Sequence, residues 1–177
     1  MRIISGHLKG RRISAPKKLP VRPTTDRSKE ALFNILTNWF EFSEVRVLDL
    51  FSGTGNISYE FGSRGVQDIV AVDQNKFCAR FIDETATEFD LNIDVVCKKV
   101  FDYLGKPQQG FDVIFADPPY DLPLADFEKL VALIFEGNWL NKSGQIVIEH
   151  SKQYKLDHLP NFESSRNYGS NFFSFFE

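Results

Sequence analysis

Residues 45–56, VRVLDLFSGTGN, decide the fold. The first seven, Val45 to Phe51, are short, apolar and rich in β-branched side chains, the character of a buried strand. Gly53 and Gly55 follow at once, so the strand should give way to a tight turn and then a helix, with no side chain at the turn to hold a ligand away from the backbone. A strand, a glycine turn and a helix open an α/β sheet. In such sheets the binding crevice lies at the carboxyl ends of the strands.

The rest of the chain repeats the alternation. Strands are expected at Asp68 to Asp73, Ile93 to Cys97, Phe111 to Asp117 and Gln145 to Glu149, each apolar and mostly bounded by Gly, Pro or Asp. Helical spacing of apolar residues runs through Phe77, Phe81, Ile82 and Phe89, and again through Leu124, Phe127, Leu130, Val131, Leu133 and Ile134. A further helix should begin near Asp26, capped by Asp or Thr, with Ala31, Leu32, Ile35, Leu36 and Trp39 as its apolar stripe. Before it, Arg2 to Ser5 and Arg11 to Ser14 flank a turn containing Gly6 and Gly10, a hairpin that either clamps a polyanion or caps the sheet. The tail sets Phe172, Phe173, Phe175 and Phe176 around Ser174, as in a terminal strand buried on both faces. The expected fold class is α/β. One domain over residues 1–177 is expected, comprising a basic extension at 1–40 and a core at 41–177.

Charge is distributed unevenly. The net charge is −3, yet residues 1–30 carry nine Lys/Arg against two acids, a balance of +7, which leaves −10 for the remainder. Basic residues clustered at one end suit a phosphate backbone. The candidates for such contacts are Arg2, Lys9, Arg11, Arg12, Lys17, Arg22, Thr24 and Arg27. No apolar run is long enough to span a membrane and the first residues lack a signal-peptide core, so a soluble, cytoplasmic protein is expected. Cys78 and Cys97, without CxxC spacing or a histidine cluster, are expected to be small core residues, and no metal site is indicated.

Asp73 ends the second strand eighteen residues after Gly55, close to the spacing at which an acid accepts from the two hydroxyls of a ribose. An adenosine-bearing ligand is implied, although this spacing alone leaves NAD and S-adenosylmethionine both open. Ser58 stands where the dinucleotide fingerprint expects its third small glycine or alanine, which weakens the NAD reading. Asp73 as a plain helix cap, with Asn75 beyond it, is the alternative.

The most specific motif is Asp117-Pro118-Pro119-Tyr120, directly after the fourth strand and opening on the same crevice. The exocyclic amine of a nucleobase is a poor nucleophile because its lone pair is delocalised into the ring, so activating it requires acceptors aimed at its hydrogens. The Asp117 carboxylate and the Pro118 carbonyl are such acceptors. Pro118 and Pro119 hold the turn in one shape, and Tyr120 offers a face on which a flipped base stacks. The chemistry this suits is direct transfer of a methyl group from a sulfonium to the amine, without a metal.

DLFSGTG, Asp73 and DPPY in this order resemble the class I methyltransferases that modify exocyclic amines. RIISGHLKGRR and RPTTDRSKEALFNIL, with Tyr168-Gly169 before a Phe-rich strand, narrow the resemblance to the bacterial 16S ribosomal RNA guanine-N2 methyltransferase family. That resemblance covers essentially the whole chain. It implies a Rossmann-like, seven-stranded, mostly parallel sheet with the last strand antiparallel, S-adenosylmethionine as cofactor, and 16S rRNA within a 30S particle or assembly intermediate as partner. A monomer is expected. It further implies a cofactor site built from Asp49, Phe51, Ser52, Gly53, Thr54, Gly55, Asn56, Asp73, Gln74, Phe101 and Asp117, in which Gly53 and Gly55 approach the methionine end and Asp73 the ribose. Asp117 and Tyr120 are implied to handle the base. One departure stands out: where many members place an acid after the third strand to meet the adenine amino group, this chain reads Lys98-Lys99-Val100-Phe101-Asp102, so either Asp102 or a backbone group takes that part. Two rival readings remain, an adenine-N6 methyltransferase and a nucleotide- or RNA-binding protein without catalysis; the intact DPPY argues against the second.

Overall fold

The computed structural model describes residues 1–16, 25–106, 110–169 and 171–177. In chain order its elements are α1 (Asp26–Leu36), β1 (Arg46–Leu50), α2 (Asn56–Ser63), β2 (Asp68–Asp73), α3 (Lys76–Glu88), β3 (Ile93–Cys97), α4 (Val100–Leu104), β4 (Phe111–Ala116), α5 (Leu124–Glu136), β5 (Leu140–Ser151), β6 (Phe162–Tyr168) and β7 (Asn171–Phe176). The strands form one seven-stranded sheet in the order β3-β2-β1-β4-β5-β7-β6. The ladders from β3 through β5 are parallel, and β7 runs antiparallel to both β5 and β6. This is the doubly wound class I methyltransferase sheet.

Alternate residues of each strand enter two separate cores. Val47, Val113, Phe115, Val147, Phe173 and Phe175 point to the face covered by α1, α2 and α3, whereas Leu48, Leu50, Ile114, Ala116, Ile146 and Ile148 meet the α4 and α5 side. Burial on both faces is why these strands read as continuous apolar runs. The Phe-rich tail obeys the same logic, since Phe173, Phe175 and Phe176 are all buried.

The N-terminal segment is a narrow hairpin, closed by an Arg2–Arg12 bridge and by Ile3 N–H donating to the Arg11 carbonyl at 3.0 Å. Ile3 and Ile13 enter the core beside α1 and α2. Gly6 sits at φ +83 with its backbone against α2, where a Cβ would lie 1.8 Å from the Ser63 carbonyl oxygen. The hairpin therefore does cap one face of the molecule.

Several side chains depart from the expected pattern. Trp39 lies beyond the end of α1 and is exposed, while the unexpected Phe33 is buried in its place. Phe77 and Leu124, expected on apolar stripes, stand in the first turns of α3 and α5 with much of their surface in solvent. Cys78 is buried as expected, but Cys97 ends the edge strand β3 and is exposed. β6 had no signature among the residues: FESSRNY is polar, as suits an outer strand with one neighbour. No helix among the described residues is long and apolar enough to cross a membrane.

Candidate active site

The turn after β1 is wound tightly. Phe51, Gly53 and Gly55 all have positive φ, at 56°, 54° and 77°, and the Gly55 N–H donates to the Ser52 carbonyl at 2.8 Å. Positive φ in the non-glycine Phe51 is strained backbone held by its surroundings. Its ring packs edge-on against Phe101, with centroids 6.4 Å apart. The two glycines serve different ends. Gly53 lines the crevice, whereas Gly55 faces inward, where an added Cβ would lie 2.8 Å from the Tyr59 ring. Gly55 is thus held to glycine by the packing behind the turn.

Asp73 ties this turn to the next one. Its carboxylate accepts from Gly53 N–H at 2.8 Å and from Asn75 N–H at 2.7 Å. The cap of α3 is Asn75, whose side chain accepts from the Phe77 and Cys78 amides, so Asp73 is not the helix cap. Burial raises the Asp73 carboxyl above its ordinary range, opposed by those two amides. Asp49, fully buried at the end of β1, accepts from Ser58 N–H at 3.2 Å and Ser58 Oγ at 2.5 Å, and burial pushes it up to about 7.

β4 delivers Asp117 to the same place. Its amide donates to the Leu50 carbonyl at 3.3 Å, and Leu122 N–H closes the turn onto the Pro119 carbonyl at 2.9 Å. Burial first, then the neighbouring carboxylates of Glu149 and Asp49, holds the Asp117 carboxyl well above the usual range. Tyr120 is 42% exposed at the rim, with its hydroxyl 3.4 Å from Asn171 Oδ1.

These loops enclose a cavity of about 630 Å³ lined by Asp49, Phe51, Ser52, Gly53, Thr54, Asn56, Asp73, Gln74, Phe101 and the whole of Asp117-Pro118-Pro119-Tyr120, together with Ile57, Asn75, Cys78, Lys99, Val100, Phe115, Asp121 and Leu122. Gly55 is therefore the one expected cofactor or base residue outside the lining. Asp102 is exposed and also outside it, whereas Lys99, Val100 and Phe101 are at the wall. Ser52 Oγ is buried and lacks a hydrogen-bond partner among the described residues, an orphan that a polar ligand would satisfy. A mostly apolar cleft with the Asp73 carboxylate on its wall and an orphaned hydroxyl fits S-adenosylmethionine.

The expected RNA contacts are scattered over the hairpin and α1. Lys9, Arg11 and Arg12 are exposed, Arg11 lying over the Phe89 ring at 5.9 Å. Arg2 pairs with Asp26 at 3.1 Å and Arg27 is exposed. Lys17, Arg22 and Thr24 lie outside the described residues. Lys29, part of the basic count, is wholly buried: its Nζ donates to Glu60 at 3.0 Å, to the Arg2 carbonyl at 2.7 Å and to Asn56 Oδ1 at 2.9 Å. Sequence reasoning also passed over Glu149 and Asn171, both buried behind Asp117 and Tyr120.

Fold and cleft together define a class I S-adenosylmethionine-dependent methyltransferase. The chain belongs to the family described as Conserved hypothetical protein 95, whose model matches residues 1–177. It is 33% identical over 161 residues to the ribosomal RNA small subunit methyltransferase D of Haemophilus influenzae, an alignment covering 88% of this chain and 81% of that protein. The enzyme of the same name from Buchnera aphidicola subsp. Baizongia pistaciae is 31% identical over 150 residues, covering 84% and 75%. Among solved structures, a hypothetical protein of Thermus thermophilus superposes with a TM-score of 0.83 at 28% identity, over 100% of this chain and 99% of that one.

Proposed function

We propose that the chain methylates the exocyclic N2 amine of a guanine in 16S ribosomal RNA, presented by a 30S particle or assembly intermediate. The observation that carries this reading is the position of Asp117-Pro118-Pro119-Tyr120 on the wall of the cofactor cleft, with Tyr120 at its mouth. The named relatives support ribosomal RNA of the small subunit as substrate, and the likeness of residues 2–12 and 22–36 to the guanine-N2 enzymes supports the choice of base.

When bound, S-adenosylmethionine supplies an electrophilic methyl group on its sulfonium. The chain's own residues position the acceptor. Tyr120 stacks on the extruded base, while Asp117 and the Pro118 carbonyl accept hydrogen bonds from the amine and hold its nitrogen in line. Asp117 need not be a strong base, because the amine becomes acidic only once it carries the methyl group and a positive charge. Its proton then leaves to Asp117 or to water. Asp73, Gln74 and Ser52 serve the ribose and neighbouring groups, with Phe101 and the backbone at Lys99 and Val100 at the adenine, in place of the missing acid. Lys9, Arg11, Arg12 and Arg27, with Arg2 beside them, contact RNA phosphates.

The test is to incubate the protein with labelled S-adenosylmethionine and 30S particles from a strain lacking its own equivalent enzyme, then to identify the modified nucleoside. N2-methylguanosine is expected, with an Asp117→Ala variant losing about 100-fold or more in rate while still binding the cofactor. N6-methyladenosine would replace guanine by adenine as the target, and cofactor binding with no transfer to any RNA or DNA would leave a binding protein.

A further inference from the structure

Asp49, Asp117 and Glu149 form a row of carboxylates across three adjacent parallel strands. Asp49 is paired in register with Phe115, two residues before Asp117. Ala116 pairs with Ile148, so Asp117, just past the end of β4, stands beside Glu149 of β5. All three side chains point to the face covered by α1, α2 and α3, because they continue the Val47, Phe115 and Val147 rows. Glu149 is 2% exposed and takes no part in the cleft wall. Asn171, at the start of β7, donates its amide to Glu149 at 2.6 Å, and its side-chain oxygen accepts from the Tyr120 hydroxyl at 3.4 Å. One buried acid thus reaches both the group that meets the amine and the ring that meets the base.

We propose that Glu149 is a positioning residue for methyl transfer, acting on Asp117 from the adjacent strand and fixing Tyr120 through Asn171. The inference rests on the assignment of Asp117 and Tyr120 to the base. Two buried carboxyls side by side on adjacent strands resist ionising together, so ionisation of Glu149 opposes the loss of the Asp117 proton and moves it to higher pH. The other carboxyl acting on Asp117 is Asp49 from β1, itself proton-binding up to about 7. Asp49 stays in place when Glu149 is replaced, and any change reaching Tyr120 is read separately in Asn171→Ala.

Single-turnover methylation of 30S particles is measured across pH for the native protein, Glu149→Gln, Glu149→Asp and Asn171→Ala, with S-adenosylmethionine affinity and thermal melting recorded for each. Glu149→Gln removes the charge and retains the shape, so the acid limb of kcat/KM should move to lower pH at unchanged cofactor affinity. Glu149→Asp keeps the charge and should keep the limb in place, even where its rate is lower. Asn171→Ala frees Tyr120 and should lower kcat/KM about tenfold, mainly through KM for the particle. A Glu149→Gln profile superimposable on the native one, in a variant that folds and binds cofactor, overturns the proposal. So does a limb that moves equally in Glu149→Asp. Failure of the native protein to methylate guanine would instead strike the proposed function, and is visible before any variant is compared.

Discussion

Gly55 shows how a single residue can be legible in kind while part of its purpose lies in packing that the sequence does not display. The GTG run announced a strand-to-helix turn correctly, and its glycines do adopt positive φ. Only the packing of Tyr59 and Ile82 behind the turn, remote in sequence pattern, reveals that Gly55 is demanded from inside. Gly55→Ala combines left-handed strain with a clash against a buried ring, so stability should fall by about 1–3 kcal/mol, read as a lower urea midpoint. Gly65→Ala, at φ +107 in open space, carries strain alone and should cost less. Equal losses in both would show that Tyr59 yields freely. Asp49 lends itself to a second residue-level prediction. Its folded value near 7 lies above the ordinary 3.8, so the folded state holds this proton more tightly than the unfolded chain does. The stabilisation is complete below the ordinary value and is lost as pH rises through about 7. The stability of the native protein relative to Asp49→Asn should therefore decline between about pH 4 and about pH 7 in urea unfolding. A constant difference would mean that Asp49 does not titrate there.

At the scale of elements, the strands buried on both faces announced themselves, and β2 and β3 fall at their expected limits. β6 did not, since a one-sided outer strand has no reason to be apolar. α1 was read with its cap and most of its apolar face, yet Lys29 was counted among the surface cations because a lysine in a basic stretch looks solvated. Its burial is decided by α2, which supplies Glu60 from thirty-one positions away. The same Glu60 accepts from the Ile4 and Ser5 amides at 2.9 and 3.0 Å and pairs with Arg64 at 2.9 Å, so one carboxylate joins hairpin, α1 and α2. Removing one partner of a buried pair leaves the other uncompensated, at a cost of about 3–5 kcal/mol, whereas removing both charges costs far less. Lys29→Met should accordingly melt well below the native protein, and Lys29→Met with Glu60→Gln should recover part of the loss. Because Lys29 also holds Asn56 at the cleft, cofactor affinity should weaken in the single variant. A double variant no more stable than the single one would show that Glu60 serves the hairpin amides and Arg64 more than it serves Lys29.

For the molecule as a whole, what the sequence could not order was the basic end. Its +7 balance suggested a polyanion surface, but the folded chain sorts those charges into separate fates: Lys29 is buried, Arg2 is paired with Asp26, and Lys9, Arg11 and Arg12 stand exposed on the outer side of a hairpin whose inner side, Ile3 and Ile13, completes the core. Capping and RNA contact are thus compatible, one for each side. The hairpin is joined to the cleft through Arg2, whose carbonyl accepts from the same Lys29 ammonium that holds Asn56. Replacing Lys9, Arg11 and Arg12 together by glutamine leaves Ile3, Ile13 and the Glu60 contacts in place, so melting temperature and cofactor affinity should stay unchanged. If these cations neutralise phosphates, affinity for 30S particles should fall roughly tenfold or more at moderate salt, and the slope of log affinity against log salt should flatten by about 0.7–0.9 for each phosphate no longer neutralised. A weaker affinity with an unaltered slope would point to a disturbed hairpin rather than to phosphates left bare. Unchanged affinity and slope would leave the hairpin as a cap alone and move RNA recognition to the rim around Tyr120.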